Sequence, residues 1–595
     1  MIDLVERPNA SGALRRQPEE GHFETHDGVP LFYRHWPAMR PRSEGAIVLV
    51  HRGHEHSGRL AHLVDELDLP GFAFFAFDAR GHGRSPGPRG DSPGIAHSVR
   101  DIQSFVDHIG ARHGLPETEI AVVAQSVGAV LTAAWAHDYA PKIRGMALAA
   151  PAFSVKLYLP FARQGLKLLR RIRGKFFVKS YVRGKYLSHD PERVASFESD
   201  PLISRAISVD VLLGLHETAT RIVADAQAIQ VPTQLLISGG DCVVHQEPQH
   251  EFFDALGTPV RERHVFEGFY HDTLGERDRA EVVHLIRSFI LRQFRAPYRA
   301  SLLDADRAGF SKAEADALAQ PLPTLSIANL KWSLRRASIA LASLLSRGVA
   351  LGKSAGFDSG SMLDYVYRNE AAGIGVLGRA IDRAYLDSIG WRGIRRRKAH
   401  IEELIALAAR RLTVSGRPLR LLDIAAGHGR YALDAIAAAG LKPESVLLRD
   451  YEQRNVEAGR HLIAERNLGK IARFEPGDAF DRESLATITP KPTLAIVSGL
   501  YELFPENAPL QRSLEGLAAA VEPGGYLLYT NQPWHPQLEY IARVLTSHRA
   551  GKPWVMRRRS QAEMDQLVEA AGFRKLTQRI DPWGIFTVSL AQRVA

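Results

Sequence analysis

A chain of 595 residues is too long for one hydrophobic core and should divide into two or three domains. Hydrophobic residues make up 45% and charged residues 24%, an ordinary balance for a globular protein. The net charge of +10 favours an anionic surface or ligand without singling out nucleic acid, and the single cysteine, Cys242, excludes an intramolecular disulfide and fits a reducing compartment.

The opening stretch MIDLVERPNASGALRRQPEEGHF has no basic segment followed by an apolar core, so it is not expected to be a signal peptide. No run approaches the ~20 apolar residues of a membrane-spanning helix. The expected location is the cytoplasm, with peripheral contact at the inner face of the membrane left open. Short apolar runs then recur at 46–50 (AIVLV), 72–78 (FAFFAFD), 120–126 (IAVVAQS), 145–151 (GMALAAP) and 233–240 (TQLLISGG), most of them separated by helix-like stretches. Continuous apolar strands alternating with helices predict a mainly parallel sheet covered on both faces. Residues 152–230 interrupt that rhythm as a helix-like, basic insertion above the strand ends.

From 296 to 355 a connector carries AQPLPTL and then a basic amphipathic stretch. Within it DADRAGFSKAEA imitates a calcium loop, but Ala308 and Ala315 occupy the fifth and twelfth ligand positions, so calcium is excluded there. A helix start at Ser311, with Glu314 three residues on, uses those letters better. A second α/β pattern follows residue 415, with LRLLDIA, ESVLLRD, KPTLAIVSG and GGYLLYTNQP as its strands.

The chemistry begins at AVVAQSVGAV, where a buried strand ends at Ser126 and turns into a helix. The nucleophile signature G-x-S-x-G is met except that Ala124 stands for the first glycine. On its own such a pattern is more often an ordinary turn serine. Ester hydrolysis also needs a base, a carboxylate to orient it and donors for the oxyanion. Asp241 closes one strand-to-loop junction and His271 another, in the order serine, acid, histidine that α/β hydrolases use. Residues 20–295 then resemble the monoacylglycerol lipase and lysophospholipase branch of the α/β hydrolases. The resemblance rests on HEHSGR (54–59), FDARGHGRSPGPRG (77–90), AQSVGA (124–129), SGGDCVV (238–244) and FEGFYHDTLGE (266–276).

The resemblance implies a serine ester hydrolase with Ser126, Asp241 and His271 as its triad, the N–H groups of Gly53 and Val127 as its oxyanion donors, and a helical cap over 152–230. Asp78 and His82 then shape a loop. The histidines at 51, 54 and 56 show no recognisable metal-ligand geometry, and no metal is expected. One departure bears on the site: Arg52 stands where the family usually has glycine. It is a candidate for a misplaced oxyanion donor or for contact with an anionic headgroup beside the ester.

LRLLDIAAGHGRYALD reads as strand, glycine-rich turn and helix. It fits a dinucleotide fingerprint poorly, since Ala425 and Arg430 replace two of the three glycines. It resembles the D-x-G-x-G-x-G loop of class I S-adenosylmethionine-dependent methyltransferases through Asp423, Ala425, Gly427 and Gly429, with one substitution. That resemblance, over 356–595, implies S-adenosyl-L-methionine as cofactor, Asp450 at its ribose, Asp478 near its adenine, and a closing helix with an antiparallel strand pair in AAGFRKLTQRIDPWGIFTVSLAQ. Tyr501, Glu502 and Trp534 are expected to line the methyl-acceptor pocket.

Two stretches, LKLLRRIRGKFFVKSYVRGKYL in the cap and IANLKWSLRRASIALASLLSRG in the connector, combine apolar and basic residues and fit either helices packed with a solvated face or contact with an anionic bilayer. The fold expected is therefore an N-terminal α/β-hydrolase with a helical cap, joined to a C-terminal Rossmann-like class I methyltransferase. The function expected is a bifunctional enzyme acting on a lipid-like ester, with no nucleic-acid partner. The alternative is that one domain, the hydrolase first, has lost its chemistry and serves as a lipid-binding or regulatory module.

Overall fold

The structure, a computed structural model, describes residues 16–159, 161–548 and 551–594. Residues 1–15 of the opening stretch lie outside the described residues. The chain divides into two compact units, Met1–Ala300 and Ser301–Ala595.

In the first unit the strands are β1 (Glu19–Glu24), β2 (Pro30–Trp36), β3 (Gly45–Val50), β4 (Phe72–Phe77), β5 (Ile120–Gln125), β6 (Gly145–Ala149), β7 (Phe177–Lys179), β8 (Ala206–Ser208), β9 (Thr233–Ser238) and β10 (Arg261–Phe266). Eight of them form one sheet in the order β1-β2-β4-β3-β5-β6-β9-β10. From β4 to β10 every pairing is parallel, whereas β1 and β2 form an antiparallel edge. Strands β3, β4, β5 and β6 are buried at every position, as a parallel sheet covered on both faces requires. The edge hairpin escapes the apolar-run reading because its residues alternate with polar ones. The insertion at 152–230 holds the helices Ala162–Arg173, Pro191–Ser199 and Val209–Ala224, and also the small antiparallel ribbon β7/β8, which its basic composition hides.

The second unit contains β11 (Arg420–Asp423), β12 (Ser445–Asp450), β13 (Ala472–Pro476), β14 (Leu494–Val497), β15 (Tyr526–Asn531), β16 (Phe573–Ile580) and β17 (Thr587–Arg593), ordered β13-β12-β11-β14-β15-β17-β16. The first five are parallel and β17 enters antiparallel between β15 and β16, which makes a Rossmann-like, mostly parallel sheet closed by an antiparallel pair. One face is packed by the 26-residue helix Ile389–Val414 through Ile401, Leu404, Ile405 and Ala408. The other is packed by the helices Asn507–Ala520 and Gln561–Ala570.

The segment read as a connector is a packed layer of this unit: Trp332 joins Phe357, Met362 and Trp391 in a core cluster. The helix start proposed at Ser311 needs correction. The helix runs Phe310–Ala319 with Gly309 at its N-cap and no side-chain cap. Ser311 is buried and accepts a hydrogen bond from Arg557 Nη1 at 2.7 Å, while Glu314 pairs with Arg558. Distant arginines took both side chains that the local pattern had assigned to a capping box.

Candidate active sites

Strand β5 delivers Ser126 to the carboxyl edge of the first sheet, and helix Val127–Tyr139 leaves from it. The turn is strained: Ser126 has φ 55° and ψ −115°, a region that non-glycine residues rarely occupy and that clusters at functional sites. Its backbone holds that shape by donating to Ala149 O at 2.9 Å and accepting from Ala152 N–H at 3.2 Å. The methyl of Ala124 is wholly buried between its sheet partners Val50 and Leu148, so this position accepts alanine. Gly128 has no such freedom, since a Cβ there would stand 2.4 Å from His51 O.

Ser126 Oγ lies 2.7 Å from His271 Nε2, and His271 Nδ1 lies 2.7 Å from Asp241 Oδ2. All three residues are buried. Asp241 Oδ1 accepts the N–H groups of Val243 (2.7 Å) and Val244 (3.0 Å), which leaves Oδ2 for the histidine. Burial pushes the Asp241 carboxyl upward, but the His271 ring and those two N–H groups outweigh it and hold the group below its ordinary value. The relay is thus set for Asp241 to stay ionised while it orients His271.

Gly53 and Val127, the expected oxyanion donors, abut: a Cβ on Gly53 would be 3.0 Å from Val127 Cγ2. The loop that carries Gly53 is clamped by His51, whose Nδ1 donates to Arg52 O (2.7 Å) and whose Nε2 accepts from Ala79 N–H (3.0 Å). That pattern fixes a neutral ring, and burial lowers its pKa accordingly. His56 turns away to Asp200 at 2.9 Å, and burial lowers His54 to about 4. No three His, Cys, Asp or Glu side chains are grouped to hold a metal ion among the described residues. Asp78 accepts from Ser57 N–H and Arg84 N–H and so ties the loops at 57 and 84 together.

Arg52 is buried and engaged. Its Nη2 donates to Glu55 Oε1 at 2.6 Å and lies 3.7 Å from Asp272 Oδ2. Asp272 in turn accepts from Arg193 Nε (3.1 Å) in the insertion and from Gln125 Nε2 (3.0 Å), the neighbour of Ser126. Burial acts against both charges, yet Arg52 is held above its usual range by Asp272 and Glu55, and Glu55 is held down at about 2 by Arg52. This network ties the loop that carries Gly53, the serine strand and the histidine loop to the insertion. The sequence contained its members but no signal that they meet.

In the second unit a cavity of about 820 Å³ opens over the turn after β11. Gly427 (φ 58°) and Gly429 (φ 75°) take left-handed conformations there, and a Cβ on Gly429 would lie 2.5 Å from Leu448 Cδ1. Asp450, at the end of β12, accepts from Gly427 N–H at 2.9 Å, from Glu452 N–H at 2.9 Å and from Asn455 Nδ2 at 3.0 Å, so it shapes the turn as well as facing the cavity. Asp478 also lines the cavity, with one oxygen accepting from Phe480 N–H. Ala425 lines it directly. Asp423 stands behind the turn, where it accepts from Tyr431 OH at 2.5 Å and from Ala425 N–H at 3.3 Å. Burial, aided by the charge of Asp450, lifts its carboxyl to about 7 despite those bonds.

The expected acceptor residues are placed differently. Leu500, Leu503 and Phe504 line the cavity, as do Ser498 and Gly499. Tyr501 is a core residue whose hydroxyl donates to Ser513 at 2.9 Å. Glu502 is buried against Thr530 (3.1 Å) and Arg397 (3.5 Å), and Trp534 stacks under Arg558. A short helical turn after β14 turns Leu500, Leu503 and Phe504 toward the cavity and Tyr501 and Glu502 away from it, which the letters of that stretch do not reveal. The sequence reading also missed the far wall of the cavity. It is built from Asp358, Asp364 and Tyr367 in the helical layer ahead of the sheet, together with His548, which Asp358 holds at 3.0 Å.

Comparison with known proteins agrees with this division. Residues 41–278 match the family model described as "Serine aminopeptidase, S33", and residues 286–593 match the one described as "Putative methyltransferase". The chain is 55% identical over 582 residues to "Uncharacterized protein YnbC" of Escherichia coli, covering 97% of this chain and 99% of that protein. It is 26% identical over 278 residues to a monoacylglycerol lipase of Mycolicibacterium smegmatis, covering 46% of this chain and 96% of the lipase. The crystal structure of a monoacylglycerol lipase from Paleococcus ferrophilus is 25% identical and covers 47% of this chain and 99% of its own, with a TM-score of 0.40.

Proposed function

The chain belongs to the family described as "Putative methyltransferase", with a lipase-related hydrolase unit ahead of the matched region, and on that premise we propose that it is a bifunctional enzyme. Its first unit hydrolyses a carboxylic ester of a lipid-like molecule, and its second transfers a methyl group from S-adenosylmethionine. The hydrolase reading is carried by the unbroken relay of 2.7 Å and 2.7 Å at the strained Ser126 turn.

In the first reaction Ser126 Oγ attacks the acyl carbonyl as His271 Nε2 takes its proton. Asp241 keeps His271 in the tautomer that accepts at Nε2 and stabilises the imidazolium that results. The N–H groups of Gly53 and Val127 receive the oxyanion, each worth on the order of 100- to 1000-fold in rate. His271 then protonates the departing alkoxide, and the same groups pass a water through the second half-reaction.

In the second unit the residues fit an adenosyl ligand. The left-handed glycines would let the backbone approach it, and Asp450 and Asp478, which both line the cavity, would offer acceptor oxygens to its ribose and adenine. S-adenosylmethionine, when bound, supplies an electrophilic methyl group. Ser498 and Gly499 would then hold the acceptor in line with it, a transfer driven by positioning that asks no metal of the protein. The test is a pair of assays on one preparation: hydrolysis of a 1-monoacylglycerol and calorimetric titration with S-adenosylmethionine. Fatty acid release and a saturable heat are expected; failure of either removes the corresponding half of the proposal.

A further inference from the structure

The helix Ile327–Ala342 in the second unit has two apolar faces and packs only one of them. Trp332 and Ile339 point into the core that contains Phe357 and Trp391. Ile327, Leu330, Leu334 and Leu341 stand 88%, 61%, 64% and 68% exposed. At about 100° per residue these four fall within about 60° of one another, roughly opposite the packed pair. They therefore form one stripe.

The stripe continues beyond the helix. Leu344 is also exposed, and Leu345 O accepts the N–H of Ile374 at 2.8 Å, which brings the exposed Ile374 and Leu377 alongside. A bare apolar surface of this extent marks an interaction site. Its charge says with what. Between residues 324 and 357 there are five cations, Lys331, Arg335, Arg336, Arg347 and Lys353, and no acidic residue. In the other apolar and basic stretch, helix Ala162–Arg173, two of the five cations are matched by carboxylates, Arg170 by Asp210 and Lys167 by Glu217. On Ile327–Ala342 no ion pair joins Lys331, Arg335 or Arg336 to a carboxylate among the described residues, and the acidic group that meets the helix, Glu539, accepts from Trp332 Nε1 at 3.3 Å.

We propose that the helix Ile327–Ala342, with Ile374 and Leu377 beside it, docks the methyltransferase unit onto the surface of an anionic lipid bilayer. The leucines enter the boundary between headgroups and acyl chains, and the flanking cations meet the lipid phosphates. No helix among the described residues is long and apolar enough to cross the membrane, so this is contact in the plane of the interface. This contact depends neither on which ester the first unit cleaves nor on what the second unit methylates.

The test is co-flotation of the full chain with vesicles of phosphatidylcholine alone or mixed with phosphatidylglycerol, at low and high salt. Binding to the mixed vesicles should exceed binding to neutral ones by about tenfold or more and should fall with salt. The double variant Leu330→Glu, Leu334→Glu, with an unchanged circular dichroism melt, should lose about tenfold or more of that binding. Lys331→Glu with Arg335→Glu should remove the preference for phosphatidylglycerol. The proposal is overturned if the leucine variant floats as the parent does or if the parent ignores lipid charge. It is also overturned if, without lipid, the parent sediments as a dimer and the leucine variant as a monomer, since the stripe is then a contact between copies.

Discussion

Arg52 Nη2 lies 2.6 Å from Glu55 Oε1, and this buried ion pair sits one residue from Gly53, the expected oxyanion donor. An arginine at that position would disturb the loop if its charge were unmatched. Glu55 and Asp272 match it, and His51 independently clamps Arg52 O. Removing one partner of a buried pair strands the other, at a cost of about 3–5 kcal/mol. Glu55→Ala is therefore expected to lower the stability of the first unit by about that amount in urea denaturation, and Arg52→Met combined with Glu55→Met to restore only part of it, because Arg59 Nε, 3.1 Å from Glu55 Oε1, still loses its carboxylate. A loss below about 1 kcal/mol for Glu55→Ala would show that the pair does not hold the loop.

Gly128 meets the same loop from the other side. A Cβ at this position would stand 2.4 Å from His51 O and 2.8 Å from Val50 O, both backbone atoms that cannot swing away. Gly128→Ala should push the loop and Gly53 off the oxyanion position and reduce kcat for ester hydrolysis by about 100-fold or more, with the heat of methyl-donor binding unaltered. Retention of full esterase activity would mean that Gly53 is not a donor.

Asp450 holds both the turn at Gly427 and the cavity wall. Its loss removes the charged acceptor proposed for the ribose, so Asp450→Ala should weaken S-adenosylmethionine binding by about 10- to 100-fold in calorimetry. Asp450→Asn keeps one acceptor oxygen and should lose less. Equal affinity in all three proteins would remove Asp450 from the binding site.

Burial lifts the Asp423 carboxyl to about 7, well above its value of about 4 in an unfolded chain. Between those two pH values the folded protein keeps a proton that the unfolded chain has released. The contribution of Asp423 to stability is thus fully present below pH ~4 and is lost as pH rises to about 7. Asp423→Asn should flatten this part of the stability–pH curve of the second unit, measured by denaturation between about pH 5 and about pH 8. Parallel curves for the parent and the variant would contradict the buried, protonated state.

The meeting of Ser126, Asp241 and His271 could be anticipated from the sequence because each lies on a loop that follows a strand, β5, β9 and β10 in turn, and their order alone restricts the fold. The glycine turn was legible for a similar reason, since left-handed backbone at 427 and 429 leaves a mark in the residue types themselves. Contacts made across the chain leave no such mark. Arg557 and Arg559 are buried and meet Glu563 and the carbonyls of Tyr501, Phe504 and Pro505, yet in sequence they are two letters of a basic run. The same holds for Asp358 and His548, 190 residues apart on one cavity wall. Position after a strand points to Tyr501, Glu502 and Trp534 as pocket residues, but the short helical turn Tyr501–Leu503 presents Leu500, Leu503 and Phe504 to the cavity, and Trp534 packs under Arg558.

The central claim for the first unit is that Ser126 is a nucleophile activated by His271. The most direct measurement is mass spectrometry of the protein after brief exposure to a fluorophosphonate. One adduct on Ser126 is expected, absent from Ser126→Ala and slowed by orders of magnitude in His271→Ala. No adduct on the parent protein, or an adduct that persists in Ser126→Ala, would contradict the account.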